Sequence, residues 1–183
     1  MPVQSLVTCE EFERLAATLG PCELIDGEVR TLSPGGFKHG RTSWRIATIL
    51  DSFVTPRKLG RVATNELGIH ISKDPPCSRG ADVIYISYQR LPANQEPGGF
   101  LTVPPELVVE VFGLKDSWEE MYKKVADYHR LGVDMVWVAD PFTRTVRRFP
   151  RGGQPEVVHE GAELDGGSIL PGFSVPVARF FQD

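Results

Sequence analysis

A carboxylate lies inside an apolar run of this chain, Pro105-Glu106-Leu107-Val108-Val109-Glu110-Val111-Phe112. Strand alternation puts Leu107, Val109 and Val111 on one face and Glu106, Val108, Glu110 and Phe112 on the other. Apolar residues on both faces mark a strand covered from both sides, as in a sheet with helices packed above and below it. An isolated carboxylate in such a place costs on the order of several kcal/mol unless a cation or hydrogen-bond donors meet it. The chain therefore needs something positive near Glu110. A bound metal ion and a lysine further on are the two candidates.

The lysine is Lys124. Ser117 with Glu120 has the pattern of a helix start, and Gly132 supplies the stop. With Met121 at zero on a helical wheel, Val125 falls at about 40°, Tyr128 at about 340° and Lys124 at about 300°. Lys124 thus lies within the buried arc, whereas Lys123, at about 200°, points to solvent. A lysine on such a boundary can also pack its stem and keep its head wet. A glutamate in the preceding buried strand favours the inward reading.

Upstream, Gly80-Ala81-Asp82-Val83-Ile84-Tyr85-Ile86-Ser87 sets an aspartate at the mouth of a short β-branched and aromatic strand. Asp after Gly-Ala can also simply close a turn. Together, Asp82 and Glu110 are a pair of hard oxygen donors suited to a divalent ion such as Mg²⁺. Such an ion acidifies a bound water and offsets charge on a phosphodiester, and a lysine beside it can orient the nucleophile.

The order of Asp82, Glu110 within a strand and Lys124 on the next helix resembles the PD-(D/E)xK nuclease superfamily. The chain is more closely similar to the Uma-two family, described as putative restriction endonucleases. The likeness runs through Glu23-Leu24-Ile25-Asp26-Gly27-Glu28, His39, Gly80-Ala81-Asp82-Val83 and Pro105 to Val111. It continues through Lys124 with Tyr128, Gly132-Val133, Val136-Trp137-Val138-Ala139-Asp140-Pro141 and Leu170-Pro171-Gly172-Phe173. Their order and spacing are specific, although each fragment is weak alone. The resemblance implies a metal-dependent endonuclease with DNA as substrate. Asp82 and Glu110 would be its metal ligands, Mg²⁺ or Mn²⁺ its cofactor, and Lys124, Glu23 and His39 its further site residues. Ala81 stands where the motif has proline, and Phe112 where a strict ExK triplet has lysine, so Lys124 must serve from the helix.

Length and composition set the frame. The chain has 183 residues, 41% of them apolar and 24% charged, values that fit one globular domain spanning residues 1–183. No apolar stretch is long enough to span a bilayer, and the N-terminus lacks the pattern of a secretory signal. Cys9, Cys22 and Cys77 show no CxxC spacing and read as free thiols of a cytoplasmic protein. The net charge of −4 argues against tight, non-specific DNA binding. Basic clusters occur at Arg57, Lys58 and Arg61, and again at Arg144, Arg147, Arg148 and Arg151; both read as solvated surface.

Along the chain, a first helix runs from about Thr8 to Leu19, with Phe12, Leu15, Ala16 and Leu19 as its buried stripe. A hairpin over 23–32 turns at Asp26-Gly27. A second helix spans about His39 to Thr55, buried through Trp44, Ala47, Ile49, Leu50 and Phe53. Strands are expected near 61–71 and 83–87, then a Pro- and Gly-rich loop, 90–104, with flexibility of its own. The strand at 135–139 follows the Lys124 helix, giving a parallel strand–helix–strand unit. Strands at 145–149 and 156–159 form a terminal meander. The expected fold is α/β: a restriction-endonuclease-like mixed central sheet flanked by helices, with an N-terminal helix and β-hairpin and a C-terminal β meander.

Two other chemistries have less support in the sequence. Gly35-Gly36-Phe37-Lys38-His39-Gly40-Arg41-Thr42 nearly matches a phosphate-binding loop, but arginine does not replace its lysine and the strand ahead is too polar. No GxSxG elbow supports an acyl-transfer hydrolase. The alternative within the same fold is a non-catalytic binding or assembly module. Either version is expected to be a homodimer, because cutting two strands favours two-fold symmetry. Glu66, in an alternating strand, is left outside the expected site.

Overall fold

The computed structural model describes residues 6–182. Helix α1 (Cys9–Leu19) starts at Thr8, whose side chain accepts from the Glu11 amide while Glu11 returns the bond to the Thr8 amide. Strands β1 (Cys22–Ile25) and β2 (Glu28–Thr31) form the expected hairpin. Its two turn residues, Asp26 and Gly27, both have positive φ, the conformation a tight two-residue turn between twisted strands requires. Helix α2 (Phe37–Val54) follows, then the long strands β3 (Gly60–Lys73) and β4 (Pro76–Ser87). After a loop come β5 (Leu107–Val111), α3 (Trp118–Leu131), β6 (Met135–Asp140), β7 (Thr145–Pro150) and β8 (Glu156–His159). A small separate ribbon, β9 (Glu163–Asp165) with β10 (Ser174–Pro176), precedes a short 3₁₀ turn, Val177–Phe180.

The main sheet runs β2-β1-β4-β5-β6-β7-β8, with β3 paired to β4 off that path. Among the strand pairs of the described residues, only β5–β6 is parallel, and α3 makes its crossover. This is the mixed sheet expected from the buried run at 107–111. Period-two alternation sends Val83, Tyr85, Leu107, Val109, Val111, Trp137 and Ala139 into a core with Ile46, Ala47, Leu50 and Val54 of α2. Ile84, Ile86, Val108, Val136 and Val138 go to the other face, against Met121, Val125 and Tyr128 of α3. Each face therefore carries its own helix. No helix among the described residues is long and apolar enough to cross a membrane.

Several expectations are corrected. Leu15 and Leu19 are 42% and 47% exposed, so α1 buries a narrower stripe than its composition implied, anchored by Phe12. Trp44 is 57% exposed, and α2 packs instead through Thr42, Ser43, Ile46, Ala47, Leu50 and Val54. Strand β4 begins at Pro76, not near Val83, and is buried almost throughout. Asp82 is thus an interior strand residue, held by a neighbour that a local reading does not see. The loop at 90–104 is tied down: the Leu101 amide donates to the Gly68 carbonyl and the His70 amide to the Leu101 carbonyl. Leu91 and Leu101 are buried beneath it.

Candidate active site

The site lies where β4 and β5 part. Their register pairs Tyr85 with Leu107, Ile84 with Val108 and Val83 with Val109, and ends there. One step further along the same register sets Asp82 opposite Glu110. The Val111 amide, which continued pairing would give to β4 backbone, donates instead to Asp82 Oδ2 at 2.7 Å. A side chain thus replaces the ladder at the split, and both carboxylates face the same gap. Asp82 and Glu110 are 6% and 3% exposed.

Helix α3 brings the counter-charge. Ser117 caps it by accepting from the Glu120 amide, and Gly132 ends it in the left-handed conformation. This fixes the phase that turns Lys124 inward and leaves Lys123 outside, paired with Glu119. Lys124 Nζ donates to Glu110 Oε2 at 2.8 Å and lies 3.1 Å from Glu23 Oε1. One turn on, the Tyr128 hydroxyl contacts Glu110 Oε1 at 2.6 Å and the Gly80 carbonyl at 3.0 Å.

Glu23 is no surface residue. Register puts it opposite Arg30, but its side chain turns inward and is 5% exposed. Its Oε2 accepts from Arg79 at 2.7 Å and its Oε1 from the Gly80 amide at 3.2 Å. Arg79 also donates to Asp127 of α3 through Nε and Nη2, at 2.9 and 2.6 Å. One arginine on β4 therefore ties the hairpin to α3. His39, in the first turn of α2, places Nε2 3.2 Å from Asp82 Oδ2. All five residues singled out in the sequence meet at this gap. Phe112, which stands in place of the triplet lysine, stacks on Trp118 at a centroid distance of 4.7 Å.

Glu66 was missed. The β3–β4 register shifts between Thr64 and Leu67, and Asn65 and Glu66 both adopt positive φ. This bulge breaks the alternation that made Glu66 look ordinary and re-aims its side chain at the site rim. A Cβ on Gly80 would lie 2.9 Å from Glu66 Oε2, so glycine there allows the approach. The available signal was the pair Asn65-Glu66 opposite a glycine inside a long strand pair.

The electrostatics follow from this packing. Burial, reinforced by Asp82, pushes the Glu110 carboxyl up to about 8 against the pull of Lys124. Burial disfavours the Lys124 ammonium, but Glu110, Glu23 and Asp82 outweigh it and hold its pKa above the ordinary lysine range. Burial also works against ionised Glu23, and Lys124 and Arg79 more than offset it. Burial and then Asp82 raise Glu66. The hydrogen bond to Asp82 raises His39 despite its partial burial. The gap thus gathers Glu23, Glu66, Asp82 and Glu110 around one lysine, one histidine and an arginine shared with Asp127.

Among the described residues, no group of three or more His, Cys, Asp and Glu side chains forms a ready-made metal cage. A hard cation such as Mg²⁺ needs fewer, commonly one or two carboxylates with water completing its shell. The hard oxygen donors of Asp82 and Glu110, facing one gap, fit that requirement.

Comparisons with known proteins bear on the family and the fold. The family model Uma2, described as a putative restriction endonuclease, matches residues 9–178. The chain belongs to the Uma2 family. A crystal structure from Anabaena variabilis ATCC 29413, described as a putative nuclease belonging to DUF820, superposes with a TM-score of 0.84. It covers 96% of this chain and 97% of its own at 21% identity, a likeness of fold. No curated protein matches this chain. For an Uma2 protein the matched segment includes every residue of the gap, from Glu23 to Tyr128.

Proposed function

We propose that this Uma2 protein is a metal-dependent DNA endonuclease that hydrolyses phosphodiester bonds with a metal-activated water. The observation that carries the reading is the meeting of Asp82, Glu110 and Lys124 in one gap, with Lys124 Nζ 2.8 Å from Glu110 Oε2. Asp82 and Glu110 would hold Mg²⁺ or Mn²⁺, whose chemistry is to acidify a bound water and stabilise charge on the phosphate. Lys124 orients the attacking water and balances the incoming phosphate charge. Glu23 holds Lys124 in place from the other side, and Tyr128 fixes the rotamer of Glu110. His39 orients Asp82 from α2.

The test is nicking of supercoiled plasmid in Mg²⁺ or Mn²⁺, comparing the wild type with Asp82→Ala and Lys124→Ala. Loss of cleavage in both is expected, at least a hundredfold, with no cleavage in EDTA. Equal activity in the variants would reject the assignment.

One observation favours a binding or assembly module without hydrolysis. Both oxygens of Glu110 already have partners, Lys124 and Tyr128. Calorimetric titration with Mn²⁺ separates the two readings: the nuclease binds the ion and loses that binding in Asp82→Ala, whereas the module binds none.

A further inference from the structure

Helix α2 has two faces with different surroundings. Its inner face packs on the sheet and delivers His39 to Asp82. Its outer face carries Phe37, Arg41 and Trp44, at positions i, i+4 and i+7 of one stripe. Phe37 is 84% exposed and Trp44 57% exposed, in a protein where most large apolar side chains are buried. Phe37 and Trp44 lie two turns apart, about 10.5 Å along the axis. The Arg41 guanidinium lies over the Trp44 ring at 5.5 Å, and the Lys38 ammonium over Phe142 at 5.7 Å. Phe142, 43% exposed, belongs to the turn after β6.

Local charge also marks this face. The chain as a whole carries −4, yet no Asp or Glu occurs between Glu28 and Asp51. In the arginine cluster near the C-terminus, acids meet Arg148 (Asp165 and Glu156), Arg151 (Asp134) and Arg144 (Glu160), while Arg147 lies over the Trp118 ring at 3.9 Å. Among the described residues, neither Lys38 nor Arg41 has a carboxylate partner; both lie against aromatic rings. Beyond Trp44 the stripe opens into a shallow depression shared with Thr48 and Arg179.

We infer that the outer face of α2 is the path of an unpaired DNA strand leading to the His39 end of the site. This rests on the endonuclease reading and names the form of its substrate. Exposed rings interleaved with cations suit single strands, because any unstacked base can lie on an aromatic face while its phosphate meets a cation. Bases paired within a duplex present no free face to stack. The bases rest on Phe37 and Trp44, and Arg41 and Lys38 meet the backbone. The enzyme therefore selects frayed, branched or single-stranded DNA over plain duplex.

The experiment measures binding in EDTA, so it does not depend on cleavage. Fluorescence anisotropy of the full chain with a labelled 12-nucleotide single strand is compared with the same length as duplex. The single strand is expected to bind at least tenfold tighter, and to quench tryptophan emission. Phe37→Ala with Trp44→Ala should weaken single-strand binding at least tenfold and change duplex binding less than twofold. Trp44→Phe, which keeps a ring, should retain most of the affinity. Arg41→Gln should lower the slope of log affinity against log salt by about one. Equal binding of both DNA forms, or an unchanged double variant, would overturn the inference even if plasmid is cut. So would sedimentation showing that these substitutions dissolve a dimer without affecting DNA binding, since a second copy would then occupy the face.

Discussion

Arg79 holds two carboxylates that come from opposite ends of the site, Glu23 on the hairpin and Asp127 on α3, and is itself 7% exposed. Removing one partner of a buried ion pair leaves the other charge stranded, which costs about 3–5 kcal/mol. Arg79→Ala should therefore lower unfolding free energy by that order in a urea titration. Substituting both Arg79 and Glu23 should cost less than the sum of the single variants, because they share one interaction. His39 gives a pH test at the same scale. Its pKa is raised in the fold by the hydrogen bond to Asp82, so its stabilising contribution is complete below the unfolded value of 6.5. It is lost as pH rises through the higher folded value. The gap in Tm between wild type and His39→Ala should be widest near pH 5.5 and narrow towards pH 9, read by calorimetry in metal-free buffer. Lys124 was legible as an inward residue because helical phase alone fixes it. The partners of Glu23 were not, since 56 positions separate it from Arg79.

At the scale of elements, short-range chemistry governs how the site residues are delivered. Ser117 caps α3, and its loss should cost about 1 kcal/mol, the usual worth of such a cap. Thermal denaturation of Ser117→Ala checks this. The effect on plasmid cleavage should be much smaller than that of Lys124→Ala, because the helix is still held by Met121, Val125 and Tyr128. The hairpin carrying Glu23 turns on Gly27, at φ +79°, with Leu6 atoms 2.7 Å from where a Cβ would stand. Gly27→Ala should destabilise by about 1–3 kcal/mol in the same assay. Both features were readable from sequence, as a cap pattern and an Asp-Gly turn. The bulge at Asn65-Glu66 was not, because a single strand's pattern does not reveal where its partner slips by one residue. The exposure of Trp44 departs from expectation for a related reason: aromatic character suggests core, while the sheet takes the adjacent stripe of α2.

For the molecule as a whole, stability rests on two cores, one on each face of the sheet, and Trp137 is the largest side chain fully enclosed in the α2 side. Trp137→Ala should cost about 3–5 kcal/mol. Because domains of this kind have only about 5–15 kcal/mol in total, it should leave the protein poorly folded at 37 °C by circular dichroism. Trp137→Phe should cost markedly less, since the indole Nε1 is buried with no hydrogen-bond partner among the described residues. The sequence by itself determined the local units: caps, the hairpin turn, strands buried on both faces, and the phase that turns Lys124 inward. These depend on neighbours within a few positions, where period and residue type carry the information. Only the tertiary structure decided that β4 and β5 part at Asp82 and Glu110, that Arg79 bridges Glu23 to Asp127, and that Glu66 joins the rim. Those outcomes depend on the register between distant strands, and register is set by the competition of whole faces for burial.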